Sequence, residues 1–244
     1  MSALVRARAV TRTYGQGALA TEVLKGVDVE LRAGELVLLM GPSGSGKTTL
    51  LSILAGLMRP TRGQVELCGA PISDMSEVEV GRVRREKLGF VFQGDNLFPA
   101  LTALDNVAEV LTLKGVARRE ARARAAEALG RVGLDHRLRC LPRDLSGGEK
   151  QRVAVARALA GSPALVLGDE VTSALDRTSA EAVVELLRAH PGPGRAVLLV
   201  THDPRLLRWA DRVIEIEDGR IGRVAPGGAS AGPAASDRLA RSSA

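Results

Sequence analysis

The stretch from residue 41 to residue 48 constrains this chain more than any other, because it reads Gly-Pro-Ser-Gly-Ser-Gly-Lys-Thr. An apolar run precedes it and a largely apolar segment follows it, which predicts a buried strand, a glycine-rich turn and a helix. Glycines let the backbone turn so that several amides point inward at phosphate oxygens. The ammonium of Lys47 can then meet the β- and γ-phosphates, while the hydroxyl of Thr48 can ligate Mg²⁺. The predicted nucleotide site comprises Gly41, Pro42, Ser43, Gly44, Ser45, Gly46, Lys47, Thr48 and Thr49.

Short apolar runs alternate along the chain with segments of helical composition, and this alternation predicts an α/β fold with a mostly parallel sheet. Unbroken runs of this kind are typical of strands that are buried on both faces. They occupy residues 36–40, 165–167 and 197–200, and residues 213–216, which are apolar apart from Glu215, predict another buried strand. Residues 100–139, rich in Ala, Leu, Arg and Glu, are expected to be helical.

Two local patterns add detail to this fold. The opening segment alternates, so Val5, Ala7 and Ala9 are expected on the buried face of a strand. Thr178-x-x-Glu181 has the spacing of a capping box, which predicts that a helix opens at Thr178.

A second site element is the apolar run that ends in Asp169 and Glu170. Neighbouring side chains diverge at the end of a strand, so one carboxylate can serve Mg²⁺ while the other faces an attacking water. An Asp-Glu pair by itself is commonly a solvated loop start. Downstream of a phosphate loop, the pair instead predicts nucleotide hydrolysis.

The composition excludes several classes of protein. The chain has 244 residues, of which 45% are hydrophobic, so global disorder is not expected, whereas residues 225–244 have the Gly, Ala, Ser and Pro content of a disordered tail. The longest apolar runs fall far short of the ~20 residues of a membrane span, and the start of the chain lacks a secretory signal pattern.

Cys68 and Cys140 are expected to be reduced thiols. The net charge of +6 suits nucleic acid, an anionic membrane or a solvated surface, but 2% aromatic residues argue against base stacking.

One segment narrows the possible classes of nucleotide-binding protein. Residues 145–152 read Leu-Ser-Gly-Gly-Glu-Lys-Gln-Arg. Ser146-x-x-Glu149 is a capping box, yet two glycines in the first turn of a helix cost about 1 kcal/mol each relative to Ala. Such glycines are better explained where backbone must approach a ligand. The segment resembles the signature motif of the ABC ATPases, and the resemblance extends over about residues 3–222.

The resemblance implies a P-loop NTPase (RecA-like) core with a mostly parallel sheet, an antiparallel β subdomain and an α-helical signature subdomain. The implied bounds are 1–224 for the ATPase domain, with its helical part at about 95–160, and 225–244 for the tail.

The resemblance also assigns roles to single residues. Tyr14 would stack on adenine, and Gln93 would act with Thr48 and Asp169 around Mg²⁺. Glu170 would be the general base, His202 would contact the γ-phosphate with Lys47, and Asp176 in the D-loop would link two sites. Two ATPase subunits would pair head to tail as a homodimer, and a signature segment would touch the ATP held by its partner. That segment consists of Ser146, Gly147, Gly148 and Glu149.

Two positions depart from the family pattern. Val171 stands where the family usually has proline, and Gly168 stands where a larger residue is common. Because proline fixes φ and glycine frees it, both changes are expected to loosen the turn that aims Glu170. All chemical groups remain, so we expect an active ATPase with an altered rate.

The segment from Phe92 to Val107, together with the signature, resembles the branch of lipoprotein-release, macrolide-export and heterocyst glycolipid-export ATPases. The resemblance implies an exporter or mechanotransmission system in which a separate integral-membrane permease docks near residues 93–106. The ATPase would then be cytoplasmic and peripheral on the inner face of the membrane, with ATP and Mg²⁺ as cofactors and without nucleic acid.

Two alternatives remain open at this stage. One is a soluble ABC ATPase acting on DNA or ribosomes. Against it, Lys47 and Ser146 lie only 99 positions apart, which leaves no room for a long coiled-coil insertion, and the chain has one phosphate loop. The other is a cell-division ATPase that transports nothing. The transported substrate cannot be derived from this sequence.

Overall fold

The computed structural model describes residues 3–94 and 96–229. Asp95, inside the predicted permease-docking segment, and residues 230–244 of the predicted tail lie outside the described residues. The described ranges contain nine strands and six α-helices, together with short 3-10 turns. The strands are β1 Ala3–Tyr14, β2 Thr21–Arg32, β3 Leu36–Met40, β4 Arg62–Leu67, β5 Leu88–Val91, β6 Leu165–Asp169, β7 Ala196–Val200, β8 Arg212–Glu217 and β9 Arg220–Pro226. The helices are α1 Lys47–Leu54, α2 Glu77–Lys87, α3 Ala103–Leu113, α4 Arg118–Arg131, α5 Gly147–Ala160 and α6 Arg177–Arg188.

The central sheet has six strands in the order β5-β6-β7-β3-β8-β9. The first five strands run parallel, and β9 pairs antiparallel with β8 through a turn at Asp218 and Gly219. Every residue of β6 and β7 is buried, which explains the unbroken apolar runs at residues 165–167 and 197–200. The predicted α/β fold with a mostly parallel sheet is confirmed.

A separate antiparallel sheet has the order β2-β1-β4. Its apolar face and the central sheet share one hydrophobic core with α1, so the phosphate loop and α1 lie between the two sheets. The prediction for Ala9 is wrong: this residue is exposed with φ of 48°, and Val10 takes the buried place. The strand register shifts between Ala7 and Val10, and a bulge of this kind changes which residues face the core.

Helices α3, α4 and α5 pack around a third core of their own and fall within the range 95–160 assigned to the helical part. The Lys114 ammonium donates to the carbonyl of Gly161 at the end of α5 at 3.0 Å, and to the carbonyl of Glu86 in α2, outside this lobe, at 3.4 Å. At the other end of the chain, β9 continues to Pro226, and the amides of residues 227–229 donate to residues 207–211. The ordered structure therefore passes the predicted boundary at 224.

None of the helices in residues 3–94 and 96–229 is both long and apolar enough to cross a membrane.

Candidate functional site

The phosphate loop connects β3 to α1, and two of its glycines are required by close contacts. Gly41 has φ of 153°, and a Cβ there would lie 2.0 Å from the carbonyl oxygen of Ile216. Gly46 has φ of 99°, and a Cβ there would lie 2.8 Å from Cδ2 of Leu24. No other residue type fits either position without moving the loop.

Lys47 and Thr48 begin α1 and point their polar groups toward the loop and β6. The Lys47 ammonium donates to the carbonyl oxygens of Gly41 at 2.8 Å and Pro42 at 2.7 Å. The Thr48 hydroxyl donates to Oδ2 of Asp169 at 2.9 Å. Burial raises the pKa of the Asp169 carboxyl, and the hydrogen bond from Thr48 opposes this shift.

These groups lie in one cleft of about 420 Å³. Its lining residues are Val23, Ser43, Gly44, Gly46, Lys47, Thr48, Thr49, Gln93, Asp169, Glu170 and Val200. The Ser45 hydroxyl is buried beneath the loop and has no hydrogen-bond partner among the described residues. Ser45 does not line the cleft, so the fit to a phosphate ligand rests on the glycine-rich loop and the Lys47 ammonium. The hydroxyl of Thr48 and the carboxylate of Asp169 are the hard oxygen donors that Mg²⁺ prefers.

Glu170 follows β6 directly and lines the cleft with an unusual backbone conformation, since its φ is 50°. Its amide donates to the carbonyl of Val200 at 2.9 Å, and its own carbonyl accepts from the Ser173 hydroxyl at 2.9 Å. One carboxylate oxygen lies 2.8 Å from Nδ1 of His202, whose side chain is exposed. Glu170 and His202, predicted from distant segments, are thus brought together.

Tyr14 does not line this cleft. Its hydroxyl lies 3.1 Å from the sulfur of Met58, and the guanidinium of Arg12 stacks 4.7 Å from the ring centroid. Val23 lines the cleft instead, and a Cβ built on Gly46 would contact the Val23 side chain. The sequence did not single out either valine as a site residue, because Val23 is an ordinary residue of β2 and Val200 ends the apolar run 197–200.

The signature segment also lies outside the cleft of its own chain, and Ser146 is exposed at the start of α5. Its side chain accepts from the Glu149 amide at 3.2 Å, and Glu149 accepts from the Ser146 amide at 2.8 Å. The Ser146 amide, helped by Arg137, holds the pKa of the Glu149 carboxyl below its usual range. The two glycines of the segment, residues 147 and 148, form the first turn of α5.

Helix α6 starts at a different residue from the predicted one. Its cap is Asp176, whose carboxylate accepts from the Ser179 amide at 3.0 Å. The prediction of a capping box at Thr178 is therefore wrong. Ala174, two residues before Asp176, lies against the start of α5, because a Cβ on Gly148 would lie 3.5 Å from the carbonyl oxygen of Ala174.

The family model described as ABC transporter matches residues 24–173 of the chain.

Comparison with characterised proteins gives relatives over most of the chain. A lipoprotein-releasing system ATP-binding protein LolD of Xanthomonas axonopodis pv. citri (strain 306) is 43% identical, covering 92% of this chain and 93% of that protein. A putative hemin import ATP-binding protein HrtA of Staphylococcus haemolyticus (strain JCSC1435) is 43% identical, covering 87% and 96%. A macrolide export ATP-binding/permease protein MacB of Marinobacter nauticus (strain ATCC 700491 / DSM 11845 / VT8) is 44% identical, covering 89% of this chain but 34% of that longer protein.

Among solved structures, the chain resembles a dimeric post-hydrolysis state of the ATP-binding cassette MJ0796 bound to ADP and Pi. The TM-score is 0.87 at 40% sequence identity, and the match covers 91% of this chain and 98% of that one.

Proposed function

Since the chain belongs to the ABC transporter family and is an ATPase of that family, we propose that it powers export through a separate membrane permease. The observation that carries the chemistry is the single cleft that joins Lys47, Thr48, Asp169 and Glu170. Each of these residues offers the group that phosphoryl transfer to water needs.

In the proposed reaction, the loop amides and Lys47 hold the β- and γ-phosphates. Thr48 and Asp169, with Gln93, hold Mg²⁺, which neutralises charge on the phosphate oxygens when it is bound. The Glu170 carboxylate accepts a proton from the attacking water, and His202 contacts the γ-phosphate from its place beside Glu170. Tyr14 is proposed to stack on adenine at the edge of the site.

We propose that two chains pair head to tail, because the signature residues of one chain do not line its own cleft. Ser146, Gly147, Gly148 and Glu149 would complete the cleft of the partner, and Asp176 would lie between the two sites. The dimeric MJ0796 cassette, bound to ADP and Pi, supports this arrangement.

The names of the relatives support a membrane system, and two of the three name release or export. We therefore propose that the chain is a peripheral protein on the cytoplasmic face of the membrane. It would be attached through a permease that contacts the segment around residues 93–106. Lipoprotein release and macrolide export are the substrate classes that these relatives suggest.

The Glu170→Gln variant tests the proposal. It should bind ATP with unchanged affinity, lose at least about 100-fold in turnover and accumulate as an ATP-bound dimer, because the base is removed while the phosphate contacts remain. Turnover near the wild-type rate would show that Glu170 is not the base.

The same variant tests the partner. Affinity-tagged Glu170→Gln protein, extracted from membranes with ATP, should retain an integral-membrane protein that identifies the permease. Recovery in the soluble fraction with ribosomes or DNA would overturn the transport proposal.

A further inference from the structure

Gly168, the fourth residue of β6, has no room for a side chain. A Cβ built on it would lie 2.4 Å from Cγ1 of Val171 and 2.9 Å from Cδ2 of Leu199. Its φ is not in the left-handed region, so backbone conformation does not explain the glycine. The requirement is for space, and the atom that takes most of that space belongs to Val171.

Val171 is 1% exposed and packs in the core between the central sheet and helices α5 and α6. Its Cγ1 fills the volume that a methyl group on residue 168 would occupy. The two positions that depart from the family pattern therefore fit each other: one lacks a side chain where the other supplies a branched one. Close packing of this kind transmits small volume changes to its neighbours.

Glu170 lies between these two residues in a left-handed conformation that a side chain with a Cβ adopts only when its surroundings hold it there. Hydrogen bonds to Val200 and Ser173 hold the backbone of Glu170 on either side. The next residue, Val171, anchors this turn in the core, and its branched side chain has few rotamers with which to accommodate a change.

We infer that Val171 is a positioning residue that packs against Gly168, fixes the left-handed turn and thereby aims the Glu170 carboxylate into the cleft. The inference rests on the proposed role of Glu170 as the base. It reverses the expectation from the sequence, since Gly168 and Val171 compensate for each other instead of each loosening the turn.

A double-mutant cycle in the full-length chain tests the inference. Gly168→Ala forces a methyl group against Val171 and should lower kcat about tenfold or more, because overpacking shifts the backbone. The Kd for ATP should stay within about twofold, since the phosphate loop is untouched and the damage falls on the transition state.

The rescue variant is Gly168→Ala combined with Val171→Ala, in which the new methyl takes part of the space of the lost Cγ atoms and the end of the Leu199 side chain can move into the rest. Its kcat should return to within about threefold of the wild-type value, whereas Val171→Ala alone leaves a void and should lower kcat about three- to tenfold. Multiplicative losses, with no rescue, would overturn the inference.

Val184→Ala is the matched control, because Val184 is a fully buried valine of the same core that lies on α6, away from Glu170. It should lower the melting temperature as Val171→Ala does and leave kcat within about twofold. Equal kcat for these two variants would overturn the inference, and this comparison decides the matter even where Gly168→Ala fails to fold.

The Glu170→Gln variant, assayed alongside, distinguishes a failure of the positioning role from a failure of the proposed function. If that variant loses turnover but the Gly168 and Val171 variants keep the wild-type kcat, the positioning role is refuted and Glu170 remains the base. Normal turnover in Glu170→Gln would remove the proposed function and the positioning role with it.

Discussion

At the scale of single residues, Lys47 is held by carbonyl oxygens of the loop to which it belongs. Lys47→Ala should weaken ATP binding about 10- to 100-fold, because a charge-assisted hydrogen bond contributes roughly 1.5–3 kcal/mol. Equilibrium titration with a fluorescent ATP analogue measures the change.

The control for this prediction is Lys87→Ala, which removes the same charge from the exposed end of α2, away from the cleft. Its ATP affinity should stay at the wild-type value. An unchanged affinity in Lys47→Ala would refute the assignment of residues 41–48 as the phosphate loop.

At the residue scale, a sequence is most informative where a local pattern carries its own geometry, as in the strand, turn and helix around residues 41–48. The glycines and Lys47 of the loop belong to one short segment, so their spacing fixes their relation. The position of Tyr14 could not be derived in this way, because its contact with Met58 joins residues 44 positions apart. Val23 enters the cleft for a similar reason: only the folded structure places β2 against Gly46.

At the scale of secondary-structure elements, Ser146 and Ser76 provide a matched pair. Both residues cap a helix through a capping box with a glutamate three positions later, α5 for Ser146 and α2 for Ser76. Replacement of either by Ala should cost about 1 kcal/mol of stability, since one helix amide loses its acceptor. Thermal unfolding should show similar decreases for both variants.

The turnover rates of the Ser146 and Ser76 variants should differ. Ser146→Ala should lower kcat about tenfold or more, because its hydroxyl is proposed to contact the phosphate held by the partner. Ser76→Ala should keep the wild-type kcat, since Ser76 lies outside the cleft and the signature. Equal kcat values would mean that Ser146 acts only as a helix cap.

Helix α6 shows why the starts of elements are harder to predict than the elements themselves. Asp176 and Thr178 are both good capping residues, and Thr178 is followed by a well-placed Glu181. In the structure the Asp176 carboxylate reaches the Ser179 amide first, and Glu181 instead pairs with Arg177 and Arg208. One of the two partners of Glu181, Arg208, is distant in the sequence, so no local window contains it.

At the scale of the whole molecule, a buried histidine is expected to make stability depend on pH. His190 follows α6, and its Nε2 lies 2.9 Å from the carbonyl oxygen of Pro163, which precedes β6. Burial lowers the pKa of His190 below its ordinary value of 6.5. As pH falls below 6.5, the unfolded chain therefore takes up this proton more readily than the folded chain, so the free energy of unfolding falls as pH falls.

His190→Gln should reduce this dependence. Between pH 7.5 and pH 5.5 the wild-type protein should lose more stability than the variant, by up to about 1.4 kcal/mol for each pH unit below 6.5. Urea unfolding at the two pH values measures the difference. Parallel losses in the two proteins would show that His190 does not carry the effect.

The arrangement of the whole molecule was only partly predictable. Buried apolar runs gave the strands β3, β6, β7 and β8 and their parallel class, because burial on both faces demands such sequences. Their order in the sheet depends on pairings between distant segments, such as β3 with β7. The bulge in β1 was missed because alternation alone does not register an extra residue.

The exposed start of α5 has a consequence for assembly. A helix start carries about half a positive charge, and in the proposed head-to-tail pair the starts of α1 and of the partner's α5 would face each other. Two like charges repel, so the bare subunits would be held apart until an anion came between them. The triphosphate would then hold the two subunits together, and loss of its γ-phosphate would allow them to separate.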